Sequence, residues 1–291
     1  MGQNLPLGEF TSFSTLDATE QKLVASAWDG SFKAFCFQSN FPVGSAILAE
    51  NARGSQRVFA GCNVENDSFA ATICAERNAA TTAVANGYTR FRAVCVVCRK
   101  IPGGSPCGLC RQVLNQFGRD AVLLNIVDTD KNVRRATVGA LLPAARGLVY
   151  DRIEKLSDEE QALIKRALAL KARSYVPYSK NPRGAVFVAS NKKGLTRIFS
   201  GMACDNASYG GSIAAENAAM YAARIAGYTG DTILITTVKD VSMVNPIDGE
   251  CLQVLREFGV DSEIFLVGDD GAVAHTSLTD LLPDSFGPES L

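Results

Sequence analysis

Apolar residues recur three and four positions apart in "LDATEQKLVASAWDGSFKAF" (16–35) and again in "LSDEEQALIKRALALKARS" (156–174), which predicts an amphipathic helix at the head of each half of the chain. In the second, Ser157 followed by Glu160 reads as a capping box. The period then shortens. "VGSAILAE" and "QRVFAGCNV", joined by the turn-like "NARG", predict two strands. A helix from about Cys74 to Ala85 follows, closed by Asn86 and Gly87. "FRAVCVVC" is a strongly apolar strand, "PCGLCRQVLNQFG" a loop passing into a helix ended by Gly118, and "AVLLNIVD" another strand. Strands alternating with helices predict an α/β layered unit.

The same unit is written twice. At an offset of 140, "SNFPVGSAIL" from Ser39 lies on "SKNPRGAVFV" from Ser179, and "TICAERNAA" (72–80) lies on "SIAAENAA" (212–219). About 18 of the 50 positions from Ser39 to Tyr88 are identical, and "ALLP" meets "DLLP" at the same offset near the end of each copy. A one-residue slip brings "CRQVLNQFG" onto "CLQVLREFG". We expect two domains, 1–150 and 151–291, with a short linker near Arg146 to Lys155.

Composition fits a soluble globular protein, with 47% hydrophobic and 20% charged residues and no apolar run that reaches the roughly 18–20 residues of a membrane span. The formal net charge of -1 gives no broad basic field for a nucleic-acid backbone, so a small, weakly charged substrate is expected. "MGQNLPLGEF" lacks the form of a secretory signal, and Pro6 stands where a myristoylation pattern needs Ser or Thr. Nine cysteines, an odd number scattered through apolar stretches, point to a reducing, cytoplasmic location.

Four residues of the first copy could assemble a catalytic metal site: Cys74 and Glu76 of "CAE", with Cys107 and Cys110 of "PCGLC". Three soft ligands suit zinc and leave a fourth tetrahedral position open. Cys74 and Cys107 stand at predicted helix starts, where partial positive charge favours thiolates. Arg77 is placed to withdraw charge from the cluster. Cys95 and Cys98 lie three apart on a strand, point to opposite faces and read as core. His275, the single histidine, has no motif that would place it in a nucleophilic triad.

A Cys two before Glu, joined to a later Pro-Cys-x-x-Cys, resembles the signature of zinc-dependent nucleoside and nucleobase deaminases. With "FPVGSAIL", "GCNVEN", "TICAER", "SPCGLCRQ" and "LLPDSFGPESL", the chain is similar to cytidine deaminases, and more narrowly to their two-domain homodimeric form, from about residue 17 onward. Cys74 with Arg77 departs from that form, which usually has His as first ligand, and is similar to the single-domain tetrameric one. The resemblance implies two tandem three-layer units, each a mixed β-sheet flanked by helices. It also implies one zinc per chain, in the first domain, and deamination of cytidine and 2'-deoxycytidine in pyrimidine salvage. Carried over by residue, Cys74, Cys107 and Cys110 hold zinc and Glu76 shuttles protons. Asn63 and Glu65 bond the sugar hydroxyls, Phe41 packs on the pyrimidine, and backbone groups at Ala75 and near Ser105 read the base edge.

In the second copy Phe41 becomes Asn181, Asn63 becomes Ala203, Glu65 becomes Asp205, Cys74 becomes Ala214 and Cys107 becomes Asp248, while Cys110 meets Cys251. Glu216 persists without its metal ligands. The second domain is therefore expected to be scaffold, and Phe286, aligned with Arg146, is the candidate ring reaching across to an active site. Two other readings compete: the same zinc chemistry on a nucleotide or another cytosine-containing molecule, and a non-catalytic zinc-stabilised assembly module. Intact Glu76 weighs against the module, and the Asn63–Glu65 pair favours a free sugar hydroxyl over a phosphate.

Overall fold

A computed structural model describes residues 8–143, 149–243, 245–259 and 261–290. The chain packs as two compact units, one comprising Met1–Leu142 with Asp284–Leu291 and the other Pro143–Pro283. The boundary expected at 150/151 thus differs from the packing, which assigns the last eight residues to the first unit. Arg146 lies outside the described residues.

The first unit contains β1 (Glu9–Thr11), α1 (Ala18–Ser31), β2 (Val43–Asn51), β3 (Gln56–Cys62), α2 (Ala75–Ala85), β4 (Tyr88–Cys98), α3 (Gly108–Gly118), β5 (Val122–Ile126), β6 (Val133–Thr137) and α4 (Val138–Leu141). Its six-stranded sheet runs β1-β6-β5-β4-β2-β3. Only β4 and β5 are parallel, and α3 supplies the crossover such a pair requires. Strand alternation divides the side chains between two cores. Ile47, Val94, Val96 and Leu123 pack with Ala79, Ala83 and Leu114 of α2 and α3. Ala46, Cys95, Val97 and Leu124 pack with Leu23, Val24 and Ala27 of α1. The result is the α/β layered unit that the sequence pattern predicts, in the three-layer, mixed-sheet form that the resemblance implies.

The second unit repeats the plan with β7 (Val149–Arg152), α5 (Asp158–Lys171), β8 (Gly184–Asn191), β9 (Thr196–Met202), α6 (Ala215–Ile225), β10 (Tyr228–Thr237), α7 (Gly249–Arg256), β11 (Glu263–Val267), β12 (Ala272–Ser277) and α8 (Leu278–Leu281). Its sheet order is β7-β12-β11-β10-β8-β9. The capping box at Ser157 and Glu160 forms, and Asp17 and Glu20 build its counterpart on α1. The expected linker near Arg146 to Lys155 needs correction: Val149–Arg152 is an edge strand paired with β12, as β1 pairs with β6.

Two glycines let the site-bearing helices press onto the sheet. A Cβ on Gly61 would stand 2.5 Å from both the carbonyl of Ala75 and the amide of Ala79, so β3 can lie against the start of α2 only without a side chain there. Gly201 does the same beneath α6, where a Cβ would meet the Ala215 carbonyl at 2.0 Å.

Candidate metal centre and active site

Cys74 is the N-cap residue of α2 and Cys107 that of α3, both in extended backbone, and Cys110 lies in the first turn of α3. The two helix starts converge. The Cys74 and Cys107 sulfurs are 3.9 Å apart, those of Cys107 and Cys110 are 3.5 Å apart, and all three lie within 4.8 Å of one another. Tetrahedral zinc with bonds of ~2.3 Å spaces its sulfurs by ~3.8 Å, so this donor set fits the ion in both chemistry and spacing. Among the described residues it is the one group of metal-binding side chains so arranged.

The electrostatics of the site also call for a cation. Hydrogen bonds from Cys107 and Cys110 pull the Cys74 thiol down to about 2 against its burial, with help from the Arg77 guanidinium. Cys107 gains from its bond with Cys110, but the Cys74 sulfur and burial outweigh this and push it up to about 12. Cys110 is raised well above the ordinary thiol range by Cys107, Cys74 and burial. Three crowded sulfurs beside one guanidinium support a single negative charge, and a divalent ion is what would let all three ionise. Arg77 stands where the sequence suggests: its Nη2 donates to the Cys74 sulfur at 3.6 Å and to the Thr72 carbonyl at 2.9 Å.

Glu76 follows one turn position into α2 and is buried. Burial, then the Cys74 sulfur, push its carboxyl up to about 7, only partly countered by its own backbone N–H, Cys110 and Arg77. A carboxyl with such a value passes readily between its two protonation states near neutrality. Ala75, with its backbone in the first turn of α2, lies between the first sulfur and this carboxyl.

The other expected residues gather around the segment before β2. Asn63 accepts from the backbone N–H of Val43 at 2.8 Å and donates to the Phe41 carbonyl at 3.0 Å. Glu65 accepts from the backbone N–H groups of Gln38, at 2.7 Å, and Ser39, at 3.2 Å, and from the Ser39 hydroxyl. Phe41 packs edge-on against Phe286, with ring centroids 5.8 Å apart at 69°. Phe286 thus sits in the first unit, against the other expected aromatic.

Sequence reasoning assigned no role to Arg111, whose guanidinium is buried beside the Pro106 carbonyl and the Asp284 backbone. Burial lowers it to about 10, leaving it a cation at neutral pH. The available signal was a charge on the buried side of α3, three residues before Leu114.

The second unit holds a different centre. Arg183, at the position of Val43, sends its guanidinium to Glu216 at 3.0 Å and to the Pro246 carbonyl at 2.8 Å. Glu216, the counterpart of Glu76, is fully buried and also accepts from Thr236 at 2.7 Å. Burial raises Asp248 despite Arg183. A fixed guanidinium stands where this unit lacks metal ligands. Cys95 and Cys98 are buried, and all nine cysteines are free thiols. His275 stacks on Phe265 and approaches Glu263 at 3.5 Å.

Residues 18–126 match a family model described as "Cytidine and deoxycytidylate deaminase zinc-binding region", and residues 131–253 match a second model of the same description. A cytidine deaminase from Sporosarcina psychrophila is 37% identical over 125 residues, which are 43% of this chain and 89% of that protein. This chain belongs to the cytidine deaminase family. A cytidine deaminase from Proteus mirabilis is 30% identical over 203 residues, 65% of this chain and 63% of its own. The crystal structure of cytidine deaminase from Burkholderia pseudomallei is 38% identical, covers 42% of this chain and 95% of its own, and has a TM-score of 0.38. The two family matches follow the internal duplication, and the three sulfurs of the first unit form a group that could hold the metal of such a region.

Proposed function

We propose that this chain catalyses the hydrolytic deamination of cytidine and 2'-deoxycytidine to uridine and 2'-deoxyuridine, releasing ammonia, in the first unit alone. The observation that carries this reading is a buried carboxyl, Glu76, raised to about 7 beside a three-sulfur cluster that fits zinc. A closed structural metal site has no use for such a carboxyl. Cys74, Cys107 and Cys110 would hold zinc, which would supply the positive charge that favours a nucleophilic water at neutral pH. Glu76 takes the proton of the attacking water, delivers it to N3 of the base and then serves the amine that leaves C4. Arg77 stabilises the thiolate of Cys74. The backbone at Ala75 and near Ser105 reads the polar edge of the base, and Phe41 packs on the pyrimidine with Phe286 set edge-on beside it.

Asn63 and Glu65 bond the sugar hydroxyls while holding the segment that carries Phe41. Their use of neutral and anionic groups favours a free nucleoside over a phosphorylated one. The chain acts as a homodimer in the cytoplasm. Free thiols support the location, and exposed aromatics at matching positions of the two copies, Phe35 with Tyr175 and Phe69 with Tyr209, support association. Among the described residues no helix is long and apolar enough to cross a membrane. The test pairs a zinc determination with an ultraviolet assay on cytidine. One zinc per chain with deamination is expected, and two zincs per chain, or turnover without zinc, overturns the reading.

A further inference from the structure

Arg111 follows the third sulfur in sequence and is 1% exposed. Its guanidinium gathers three separate segments. Nε donates to the Pro106 carbonyl at 2.7 Å, Nη1 to the Leu141 carbonyl at 2.7 Å, and Nη2 to the Ser105 hydroxyl at 3.1 Å and the Asp284 carbonyl at 2.7 Å. Asp284 is a non-glycine residue in the left-handed region, with φ of 50°. Its carboxylate accepts from Nη2 of Arg134, on β6, at 2.9 Å, and both side chains are largely buried. Two residues later comes Phe286, edge-on to Phe41.

We propose that Arg111, Arg134 and Asp284 are positioning residues that latch the segment from Asp284 onward to the first unit and thereby set Phe286 against Phe41. The inference rests on the reading of this site as a cytidine deaminase. One side chain, Arg111, spans the loop before Cys107 and the segment before Phe286, so it sets the separation between the metal loop and the aromatic wall. Arg134 fixes the same residue from the sheet side. A left-handed Asp held by two guanidinium groups directs the chain into the site, and the aromatic contact alone provides no such direction.

The test uses the full-length, zinc-loaded chain with Arg134→Gln, Arg134→Lys, Asp284→Asn and Phe286→Ala, and with Phe286→Ala combined with Arg134→Gln. In Arg134→Gln and Asp284→Asn, amide exchange of the peptide spanning residues 284–290 should rise about tenfold or more, because the ion pair no longer opposes local opening. KM for cytidine should rise about tenfold with kcat within about threefold, the pattern of lost substrate binding. Zinc stoichiometry should not change, and Arg134→Lys should restore most of the loss. If the latch acts through the ring, adding Arg134→Gln to Phe286→Ala should raise KM less than about twofold further. Unchanged exchange, or effects on KM that multiply in the double variant, overturns the proposal. Arg111→Lys is read by exchange alone, since that side chain is buried and joins Ser105, Pro106 and Leu141 as well as Asp284, and unchanged exchange in it would also count against the latch. A wild-type chain that protects 284–290 but leaves cytidine intact overturns the functional reading and not the latch.

Discussion

The same substitution at two equivalent carboxyls should have opposite consequences. Glu216→Gln leaves a buried guanidinium without its counter-ion. Arg183 lies 3.0 Å from a carboxylate that is fully buried, so the amide retains a hydrogen bond but removes the charge. Removing one partner of a buried pair costs about 3–5 kcal/mol, and the surviving acceptor places this case near the lower end. Against a total stability of about 5–15 kcal/mol that is a large fraction, while turnover, which occurs in the other unit, should be largely intact. Glu76→Gln works in reverse. With its carboxyl raised to about 7, the metal-free folded chain keeps a proton that the unfolded chain has released above the ordinary carboxylate range. Stability therefore falls as pH rises toward 7 and stays reduced above it, by on the order of 3 kcal/mol, which the neutral amide recovers. Turnover should drop by at least about 10²–10⁴, the worth of a proton shuttle. Denaturant unfolding of the metal-free proteins at pH 8, followed by circular dichroism, and turnover of the zinc-loaded ones measure both effects. A Glu216→Gln chain that unfolds at the wild-type denaturant concentration, or a Glu76→Gln chain that still turns over at near wild-type rate, would refute the assignment of the two centres.

Three further outcomes are expected. Burial alone would raise Glu65, but the Ser39 hydroxyl and the backbone N–H groups of Gln38 and Ser39 hold it below the usual carboxylate value. Its contribution is present above that value and is lost as pH falls through the lowered one, so KM measured on acidification should rise there before the chain unfolds, and Glu65→Gln should remove that pH dependence. Arg77→Ala should weaken zinc retention in a chelator competition by about tenfold, the worth of a charge-assisted bond to the Cys74 sulfur, and unchanged retention together with unchanged turnover would count against the role given to it. Chelation should abolish deamination and one equivalent of zinc should restore it, with no second equivalent taken up by the unit that carries Ala214 and Asp248.

The duplication, the central strands and the three sulfurs were legible because each is local or periodic: alternation for the strands, helix starts for Cys74 and Cys107, a fixed offset for the repeat. The edge strands β1 and β7 were not. They are three and four residues long and owe their conformation to β6 and β12. Arg183 escaped notice because its counterpart, Val43, carries no chemistry, and a change from apolar to basic gains meaning only when Glu216 is seen beside it. The partnership of Arg111 with Asp284 spans 173 residues, and no window along the chain contains both.

Arg183 also changes what the two units need from their surroundings. The first unit must acquire its cation from a pool and can lose it again. The second carries its cation as a side chain, made with the backbone in fixed proportion and unable to dissociate. Scarcity of metal therefore acts on one half of the molecule only, and loading becomes a switch on activity that leaves the centre of the duplicated scaffold untouched.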